Sequence, residues 1–492
     1  MIYVARSNRG LIGSAVLLLI VLMVAIFFGL LAITANPILV SLGAGLLLGI
    51  LLLAKPSWNV WIILAGGLLV VGVLPIWVDS FASKVVWVIS LFGFVLLLSS
   101  FFRVVSVPEA VRGTPAFVWL ALAFLVYALL NSLAQWSSFF EFASSFKRYF
   151  QAIGLLFALA WLSFTERQVL LWRAFIIIVA LVQLPWALYE LLELVPIREG
   201  LQHTYGLVPI DVVAGTFGAS MYSGGANANM ATFLIIILAF FLAHRREKLL
   251  GLGNYLLLLL FVLTPLFMGE TKVVVILLPL MFFVLYRSEM IARPHHALLA
   301  LGICALLTAA VGYTYMGHTN FQSLDGWIAN TLQYNVYEKG YGGKELNRTS
   351  VLTFWAEQQG GHDPISAVFG NGLGAAHEAT RGNLALRYYG YGIGLTAISS
   401  LLWEQGSVGV ALYLSILIFA WRSADSIRHG AIHGWMRADA AAIQSAVPLF
   451  VFYLFYRSAL LESLPFQIFF YSLLGYLAWL YRLHNSCVNT KV

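Results

Sequence analysis

The chain has 492 residues, of which 61% are hydrophobic and only 10% are charged, and its formal net charge is +7. Water-soluble globular proteins carry about 25% charged residues, so this composition excludes a soluble enzyme, a disordered chain and a nucleic-acid-binding protein. With a mean hydropathy of +0.89, the chain is expected to be an all-α, polytopic integral membrane protein.

Apolar runs that are long enough to cross a bilayer recur along the whole chain. A bilayer core needs about 20 apolar residues per helix, and scanning for such runs predicts about fourteen transmembrane helices. The runs lie at 11–34, 37–54, 58–78, 84–102, 115–135, 148–164, 168–194, 228–243, 250–268, 273–287, 297–315, 393–421, 440–458 and 463–481. An even number of helices places both termini on the same side of the membrane.

Basic residues orient these helices. Arg6 and Arg9 precede the first apolar run, and when they are placed in the cytoplasm most other Lys and Arg residues fall in cytoplasmic loops, as the positive-inside rule requires. Both termini are then cytoplasmic. The first run is long enough to remain as an anchor. The only two cysteines, Cys304 and Cys487, exclude a disulfide framework.

Two segments on the outer face are polar, namely 196–227 and 316–391. The second is much longer than an ordinary connection, and long loops are usually functional or disordered. Its many aromatic residues indicate a folded unit with short helices. We therefore expect transmembrane helices one to eleven in residues 1–315, a loop domain in 316–392, and helices twelve to fourteen in 393–492.

Several Lys and Arg residues lie on the outer face, although the positive-inside rule places most basic residues in the cytoplasm. Charge at membrane depth is costly and is usually functional, and an anionic ligand with phosphate oxygens explains the whole set. For any single member, snorkelling to lipid headgroups, or pairing with Glu270, Glu378 and Glu462, is the preferred explanation. We favour an anion site formed by Lys147, Arg148, Lys272, Arg348, Arg381 and Arg457.

A Gly-rich string at 370–374, with glycines at 370, 372 and 374, is followed by His377. Glycines permit backbone conformations closed to other residues and close approach to a ligand, although a turn that re-enters the membrane explains Gly370, Gly372 and Gly374 as well. The string follows no predicted strand, so a dinucleotide fold is rejected.

Two further motifs flank predicted helices. Glu404 lies inside the twelfth helix, where a carboxylate needs a partner, and Gly406 and Gly409 permit close helix packing. Upstream, the segment 215–218 reads Gly-Thr-Phe-Gly, and Asn227 or Asn229 is placed to cap the eighth helix. Capping alone is the preferred interpretation of these residues, and an anion at the N-terminus of that helix is the alternative.

Taken in order, these motifs resemble the O-antigen ligase and O-antigen polymerase superfamily of bacterial polysaccharide assembly. The resemblance covers the motifs of residues 210–420 and the topology of the whole chain. It implies a GT-C-like membrane fold with one long periplasmic loop, located in the bacterial inner membrane. It also implies a metal-independent glycosyltransferase without a cofactor, whose substrates are glycans linked through diphosphate to undecaprenol and whose active face is periplasmic.

The resemblance implies roles for single residues. Arg348, which precedes Trp355, matches a diphosphate-binding arginine, and Lys272 stands where the family commonly has Ser-Arg. The family's His-Asn pair has no counterpart near 392–395, so the general base is His377, the adjacent Glu378 or Glu404, or no strong base is needed. His362 and His203 are weaker candidates.

The favoured function is polymerisation of undecaprenyl-diphosphate-linked repeat units into O-antigen, capsule or exopolysaccharide, because the chain is long and lacks the His-Asn pair. Transfer of glycan to lipid A core by a ligase is the alternative. A lipid-linked sugar flippase or transporter, from a different class, needs polar groups near the membrane midplane. Expected partners are the lipid-linked glycans, the lipid bilayer, and chain-length regulator and flippase proteins. No metal site is expected, since His295 and His296 lack carboxylates at ligand spacing.

Overall fold

A computed structural model describes residues 55–489, apart from 137, 206–207, 223, 225, most of 293–323, 338–344 and 379–381. The predicted helices 11–34, 37–54 and most of 297–315, and the candidate residue Arg381, lie outside the described residues. The chain divides into two compact units, Met1–Asn59 and Val60–Val492. In the first unit only residues 55–59 are described, and the sites discussed in this article lie in the second unit. The division into 1–315, 316–392 and 393–492 stays a prediction.

Every regular element in the described part of the chain is helical. The α-helices are α1 Pro56–Ala65, α2 Leu74–Trp77, α3 Asp79–Ser106, α4 Ala116–Ala134, α5 Phe139–Phe150, α6 Ile153–Trp161, α7 Glu166–Tyr189, α8 Val195–Tyr205, α9 Asn227–Arg246, α10 Leu252–Met268, α11 Val274–Ala292, α12 Leu324–Asn335, α13 Ser350–Trp355, α14 Pro364–Phe369, α15 Asn383–Arg387, α16 Ala397–Gly430, α17 Gly434–Tyr456, α18 Ala459–Glu462 and α19 Leu464–Asn489. Single turns of π-helix follow α1, α7 and α13, and 3-10 turns occur at Pro108–Val111, Pro209–Val212 and Gly215–Phe217.

Eight helices of the described residues are long and apolar enough to cross a membrane. This confirms a polytopic, all-helical membrane architecture, while the total of fourteen spans stays a prediction. The eight helices are Ser83–Ser106, Ala116–Ala134, Glu166–Leu201, Asn227–Arg246, Val274–Ala292, Ala397–Gly430, Gly434–Tyr456 and Leu464–Cys487. Pro56–Val70 and Leu252–Met268 are shorter apolar helices.

The predicted span 148–164 differs from the structure, which has two helices there. The amphipathic α5 starts at Phe139 behind the N-cap Ser138 and ends at Phe150, and α6 has only nine residues. Nine residues rise about 14 Å, less than half of a hydrocarbon core about 30 Å thick. The break allows α3 to pack closely, because a Cβ on Gly93 would lie 2.0 Å from the Gln151 carbonyl oxygen.

Helix α9 lies at the centre of the bundle. Within its apolar window 94% of the residues are buried inside the protein, against 33% for the window in α11. It packs against α17, α10 and α11, while α16 packs on α17 and α4, and α19 packs on α6. A helix that is apolar on all sides is stable in this position because other helices, rather than lipid or water, surround it.

The long segment between α11 and α16 carries the short helices α12 to α15 in its described part. Its aromatic residues form a small core around Trp403 of α16, with Phe354, Tyr388 and Tyr391 packed against it. The Phe354 and Tyr391 rings stack with centroids 5.2 Å apart. This core attaches the segment to the first turns of α16, which carry Glu404.

The contact between α3 and α6 generates a stability prediction. Gly93→Ala places a methyl group against the Gln151 backbone, which is unable to move aside as a side chain would, so we expect the free energy of unfolding to fall by about 1–3 kcal/mol. Gly253→Ala is the matched control, because a Cβ on Gly253 meets no atom within 4 Å. Equal thermal unfolding midpoints for the two detergent-solubilised variants would contradict this packing.

Candidate functional site

A break in α16 at Gly406 is the starting point of the candidate site. Gly406 has φ +64° and ψ −172° inside an otherwise continuous helix, a conformation that only glycine adopts without strain. The break removes helical donors from the carbonyls just before it, and buried backbone carbonyls need replacement donors. The close packing predicted for Gly406 is confirmed as well, because a Cβ there would lie 2.3 Å from the Val368 carbonyl oxygen of α14.

The Gly-rich turn, residues 370–374, supplies several of those donors. The N–H and side-chain amide of Asn371 donate to the Trp403 carbonyl at 3.1 and 2.8 Å, and the Gly372 N–H donates to the Glu404 carbonyl at 2.9 Å. From α4, the Asn131 side chain donates to the same Glu404 carbonyl at 3.0 Å. The Gly-rich turn and the Glu404 motif, separate in the sequence, are therefore one structural unit.

The three glycines of the turn are required by backbone geometry. Gly370, Gly372 and Gly374 have φ values of +85°, +85° and +93°. A Cβ on Gly370 would lie 2.4 Å from the Glu404 carbonyl oxygen, and one on Gly374 would lie 2.3 Å from Ser145 Oγ of α5. The turn is thus held between α16 and α5, and its glycines are explained by packing within the protein.

Glu404 has the partner that its position inside a helix demands. Its Oε1 lies 3.2 Å from Arg148 NH2, and Arg148 NH1 lies 3.3 Å from Glu462 Oε1. Glu404 is 1% exposed, and Ser458 Oγ donates to Glu462 Oε2 at 2.6 Å. We call Arg148, Glu404 and Glu462 the Arg148 cluster. The Arg148 guanidinium is already paired with two carboxylates, which weakens its attraction for a diphosphate. The Glu404 side chain is buried and so is not exposed to an acceptor sugar.

Lys147 has a different partner from its neighbour Arg148. Its ammonium lies 5.0 Å from the centroid of the Trp87 ring, which is a cation–π distance. The two cations that are adjacent in the sequence therefore point to separate contacts, and the structure does not bring Lys147 into the Arg148 cluster.

A second group of charges assembles from segments that are far apart in the sequence. Its members are Arg198 of α8, Asp211 of a 3-10 turn, Lys272 between α10 and α11, Arg348 before α13, and Arg457 after α17; we call them the cation cluster. Arg198, Arg457 and Lys272 each act electrostatically on Asp211, and Arg348 acts on Lys272.

Arg348 is held in place by backbone and aromatic contacts. Its Nε donates to the Tyr456 carbonyl at 2.7 Å, its Cζ lies 4.4 Å from the centroid of the Tyr456 ring, and its NH1 donates to the Asn335 side chain. The buried Asn347 accepts from the N–H groups of Thr349 and Ser350, a local turn that fixes the backbone on either side of Arg348.

The pKa of Lys272 is shifted because its ammonium is partly buried and lies near other charged side chains. Burial lowers the pKa of Lys272 below its ordinary value, the negative charge of Asp211 raises it, and the positive charge of Arg348 lowers it further. Two residues earlier in the same turn, Glu270 is a non-glycine residue at φ +43°, a conformation that costs about 1–2 kcal/mol.

One short segment joins the two clusters. Residues 456–463 connect α17 to α19, and they contain Arg457 of the cation cluster and Glu462 of the Arg148 cluster. The Arg457 carbonyl accepts from the N–H of Ala397, the first residue of α16, at 3.1 Å. Both clusters therefore lie at the end of the bundle where α16 begins and α17 ends.

His377 lies at the end of the Gly-rich turn. Its N–H donates to the Gly374 carbonyl at 3.0 Å, and its own carbonyl accepts from the Gly382 N–H at 3.3 Å. Glu378 is exposed and lines an open pocket with Glu345 and Tyr391. The catalytic roles of His377 and Glu378 stay predictions.

Some predictions about the upstream segment change, and two residues were missed. Helix α9 has no side-chain N-cap: Asn227 donates to Asp211 Oδ1 at 3.0 Å, and Asn229 accepts from the Tyr453 hydroxyl. Asn229 does not cap the helix, whereas the Asn227 side-chain oxygen accepts from the N–H of Ala228 in the first turn at 2.9 Å. Sequence reasoning also left Asp211 and Arg198 out of the site, although an isolated acid within an apolar stretch shortly before the Gly-Thr-Phe-Gly segment was a usable signal.

A separate polar cluster lies between α7, α9, α17 and α19. Arg173 NH2 lies 2.7 Å from Asp439 Oδ1 and 2.8 Å from His244 Nε2, and the Tyr476 hydroxyl donates to Asp439 Oδ2 at 2.6 Å. Among the residues that the structure describes, no group of three or more His, Cys, Asp or Glu side chains could hold a metal ion.

No protein-family model matches the chain, and no curated protein sequence matches it. The resemblance to the O-antigen ligase and polymerase superfamily therefore stays a prediction.

The turn generates a prediction about its glycines. Gly370→Ala places a Cβ against the Glu404 and Gln405 backbone at a positive φ, which alone costs about 1–2 kcal/mol, so we expect a clear fall in the thermal unfolding midpoint. Gly360→Ala, where a Cβ meets no atom within 4 Å, is expected to leave the midpoint unchanged. A tolerated Gly370→Ala would show that the turn does not pack on α16.

The Arg148 cluster generates a second prediction. Arg148→Met leaves two carboxylates without their cation, and the free energy of unfolding is expected to fall by about 3–5 kcal/mol. Glu404→Gln is expected to cost less, because Arg148 retains Glu462.

The control is Arg246→Met, which removes one partner of the more exposed pair with Glu289; surface pairs contribute only about 0–1 kcal/mol. Thermal unfolding of the purified variants measures the difference. Similar losses for Arg148→Met and Arg246→Met would argue against a buried, energetically coupled cluster.

Proposed function

We propose that the chain is a membrane glycosyltransferase that polymerises undecaprenyl-diphosphate-linked oligosaccharide repeat units into O-antigen, capsule or exopolysaccharide. One observation carries this proposal: Arg198, Arg457 and Lys272, from three separate segments, act electrostatically on the carboxylate of Asp211, and Arg348 from a fourth segment acts on Lys272. An excess of positive charge favours an anionic ligand, and a diphosphate matches it in charge.

The donors suit a diphosphate chemically. Arginine presents a planar fork of N–H groups that matches phosphate oxygens, and lysine adds a compact charge. Arg348 is already oriented by Tyr456 and Asn335, so little side-chain freedom is lost on binding. Burial lowers the pKa of Lys272, and an incoming anion would stabilise its charged form.

In the proposed reaction the hydroxyl of the acceptor sugar attacks the anomeric carbon of the donor. A new glycosidic C–O bond forms, the bond from that carbon to the diphosphate breaks, and the electron pair stays on the lipid diphosphate. Cations held in place before the reaction stabilise the charge that develops on this leaving group. The hydroxyl proton passes to a base, for which His377 and Glu378 remain the candidates since Glu404 is buried against Arg148.

The Arg148 cluster supports the same proposal through the structural role of its residues. It ties α5, α16 and the segment 456–463 together, and that segment continues into Tyr456, which holds Arg348. Arg148 and Glu404 are therefore proposed to position the cation cluster. The proposed location is the bacterial inner membrane, with the cation cluster on the periplasmic face and both termini in the cytoplasm.

A lipid-linked sugar flippase or transporter is the second candidate, and the buried cluster of Arg173, Asp439, His244 and Tyr476 favours it. Ionisable groups inside transmembrane helices commonly mark transport pathways. Asp439→Asn separates the two candidates: a transporter would lose function while its cation cluster still bound pyrophosphate, whereas a polymerase would need Asp439 only for stability.

The polymerase proposal predicts the effect of Arg348→Ala in a host that lacks the native gene and is complemented with the variant. Loss of one charge-stabilising donor typically costs about 100- to 1,000-fold in rate, so the long polysaccharide ladder on a gel is expected to collapse to single repeat units. Arg348→Lys, which keeps the charge and loses the fork, is expected to give short chains.

The matched control is Arg422→Ala, since Arg422 is an exposed arginine stacked on Phe419 of α16. It is expected to give wild-type chain lengths. Full-length polysaccharide from an Arg348→Ala protein present at wild-type levels in the membrane would refute the proposed diphosphate site.

A further inference from the structure

An open pocket lies in the long segment between α11 and α16, and it contains no member of the two charge clusters. Its volume is about 420 Å³, which is within the range of pockets that hold small organic ligands, about 300–1,000 Å³. Its lining includes Glu345 and Leu346, Glu378 at the end of the Gly-rich turn, and the turn 389–392. Three stretches that are separated in the sequence therefore meet at this pocket.

Two tyrosines form one wall of the pocket. Tyr391 stacks on Phe354 with ring centroids 5.2 Å apart, and its carbonyl accepts from the Leu346 N–H at 3.0 Å. Tyr391 is thereby fixed to the aromatic core of the segment, whereas Tyr389 is 75% exposed. Between them Gly390 has φ +82°, and a Cβ on it would meet no atom within 4 Å. Backbone conformation therefore requires this glycine, and the space above it is open.

The pocket carries negative charge. Glu345 and Glu378 are both exposed, and no Lys, Arg or His is among the described residues that line the pocket. Within the described part of the chain, neither carboxylate takes part in an ion pair. Both acids are therefore available to accept hydrogen bonds from a ligand, and like-charge repulsion disfavours an anion such as a diphosphate at this place.

A sugar ring without negative charge matches both walls. One face of a pyranose ring is a patch of C–H bonds that packs on the negative face of an aromatic ring, and its rim carries hydroxyl groups that donate to carboxylate oxygens. Hydrogen bonds to an ionised acceptor are about twice as strong as neutral ones. A calcium ion is a poorer match, because it takes about six to eight oxygen ligands.

The pocket is close to the arginine that is proposed to bind the diphosphate. Arg348 follows Glu345 by three residues, and three residues of extended chain span at most about 11 Å. Between them Asn347 Oδ1 accepts from the N–H groups of Thr349 and Ser350, which fixes this stretch of backbone. A glycan in the pocket would therefore have its rings near a diphosphate that Arg348 holds.

We propose that this pocket binds the acceptor sugar of the polymerisation reaction, with the ring stacked on Tyr389 and its hydroxyls donating to Glu345 and Glu378. The inference rests on the proposed function, because it assumes that the acceptor is a glycan. The two carboxylates make the pocket selective: the accepting sugar is uncharged or bears an amino group, and it is not a uronic acid. Acceptor specificity and diphosphate binding are thus assigned to different residues.

The experiment is saturation-transfer NMR of the repeat-unit oligosaccharide with the purified full-length protein. The oligosaccharide is released by mild acid from the lipid-linked intermediate of the native host, so it carries no diphosphate. Tyr389→Ala is expected to bind it about tenfold more weakly than the wild type because the stacking is lost, and Tyr389→Phe, which keeps the ring, is expected to bind as the wild type does. Glu345→Gln is expected to lose about tenfold, because hydrogen bonds to charged groups are the stronger ones.

Two variants of the same segment are the matched controls. Tyr337 is 57% exposed, Glu357 is exposed, and neither lines the pocket. Tyr337→Ala and Glu357→Gln are expected to bind the oligosaccharide as tightly as the wild type. Equal losses in the control variants and the pocket variants would contradict the assignment to this pocket.

The outcomes separate the two proposals. Arg348→Ala is expected to bind the free oligosaccharide normally, since no diphosphate is present, while it loses chain elongation. If Tyr389→Ala and Glu345→Gln bind as the wild type does, or if the wild type shows no saturation transfer, the acceptor pocket fails alone. If Arg348→Ala makes full-length polysaccharide, the proposed function fails whatever the pocket binds.

A second readout needs no variant. Linkage analysis of the native polysaccharide identifies the sugar that accepts each new repeat unit, and it is expected to be a neutral sugar or an amino sugar. A uronic acid at that position would overturn the inference.

Discussion

The break in α16 at Gly406 determines how the motif-bearing part of this protein is assembled. Within a bilayer no water is available to satisfy backbone carbonyls, so a helix can be interrupted only where other parts of the chain supply donors. Here the carbonyls of Trp403 and Glu404 accept from the Gly-rich turn and from Asn131 of α4. The turn, the small aromatic core around Trp403 and the start of α16 all depend on this exchange of hydrogen bonds.

Charge is distributed around this framework in two different ways. The Arg148 cluster is compact and rich in acid, with one guanidinium between the buried Glu404 and the half-buried Glu462, and such an arrangement holds helices in register. The cation cluster has the opposite imbalance: Arg198, Arg457 and Lys272 act electrostatically on Asp211, and Arg348 acts on Lys272. The segment 456–463 contains Arg457 of the cation cluster and Glu462 of the Arg148 cluster, so a displacement of α18 would move both residues. We infer that the first cluster supports the geometry of the second.

The sequence predicted well those features that depend on composition and local pattern. Hydrophobicity predicted the long apolar helices because a bilayer imposes a length on every span. The need of Glu404 for a partner also followed from its place in an apolar helix, and Arg148 meets it. The sequence did not reveal the break between α5 and α6, because residues 148–164 are apolar enough to form one continuous helix. The reason for the break is the close approach of Gly93 of α3, which only the structure shows.

The sequence by itself determined that the chain is helical and membrane-embedded, that charges are rare, and that glycines cluster at 370–374. The tertiary structure alone decided which of these features meet. Arg198 and Asp211 lie close together in the sequence, whereas Lys272, Arg348 and Arg457 each lie more than 50 residues from the next member, and no periodicity links the five. Their convergence depends on how α8, α9, α10 and α17 pack, and packing is a property of side-chain surfaces from the whole chain. Packing also explains why residues adjacent in the sequence have different partners: Lys147 contacts Trp87, whereas Arg148 binds two carboxylates.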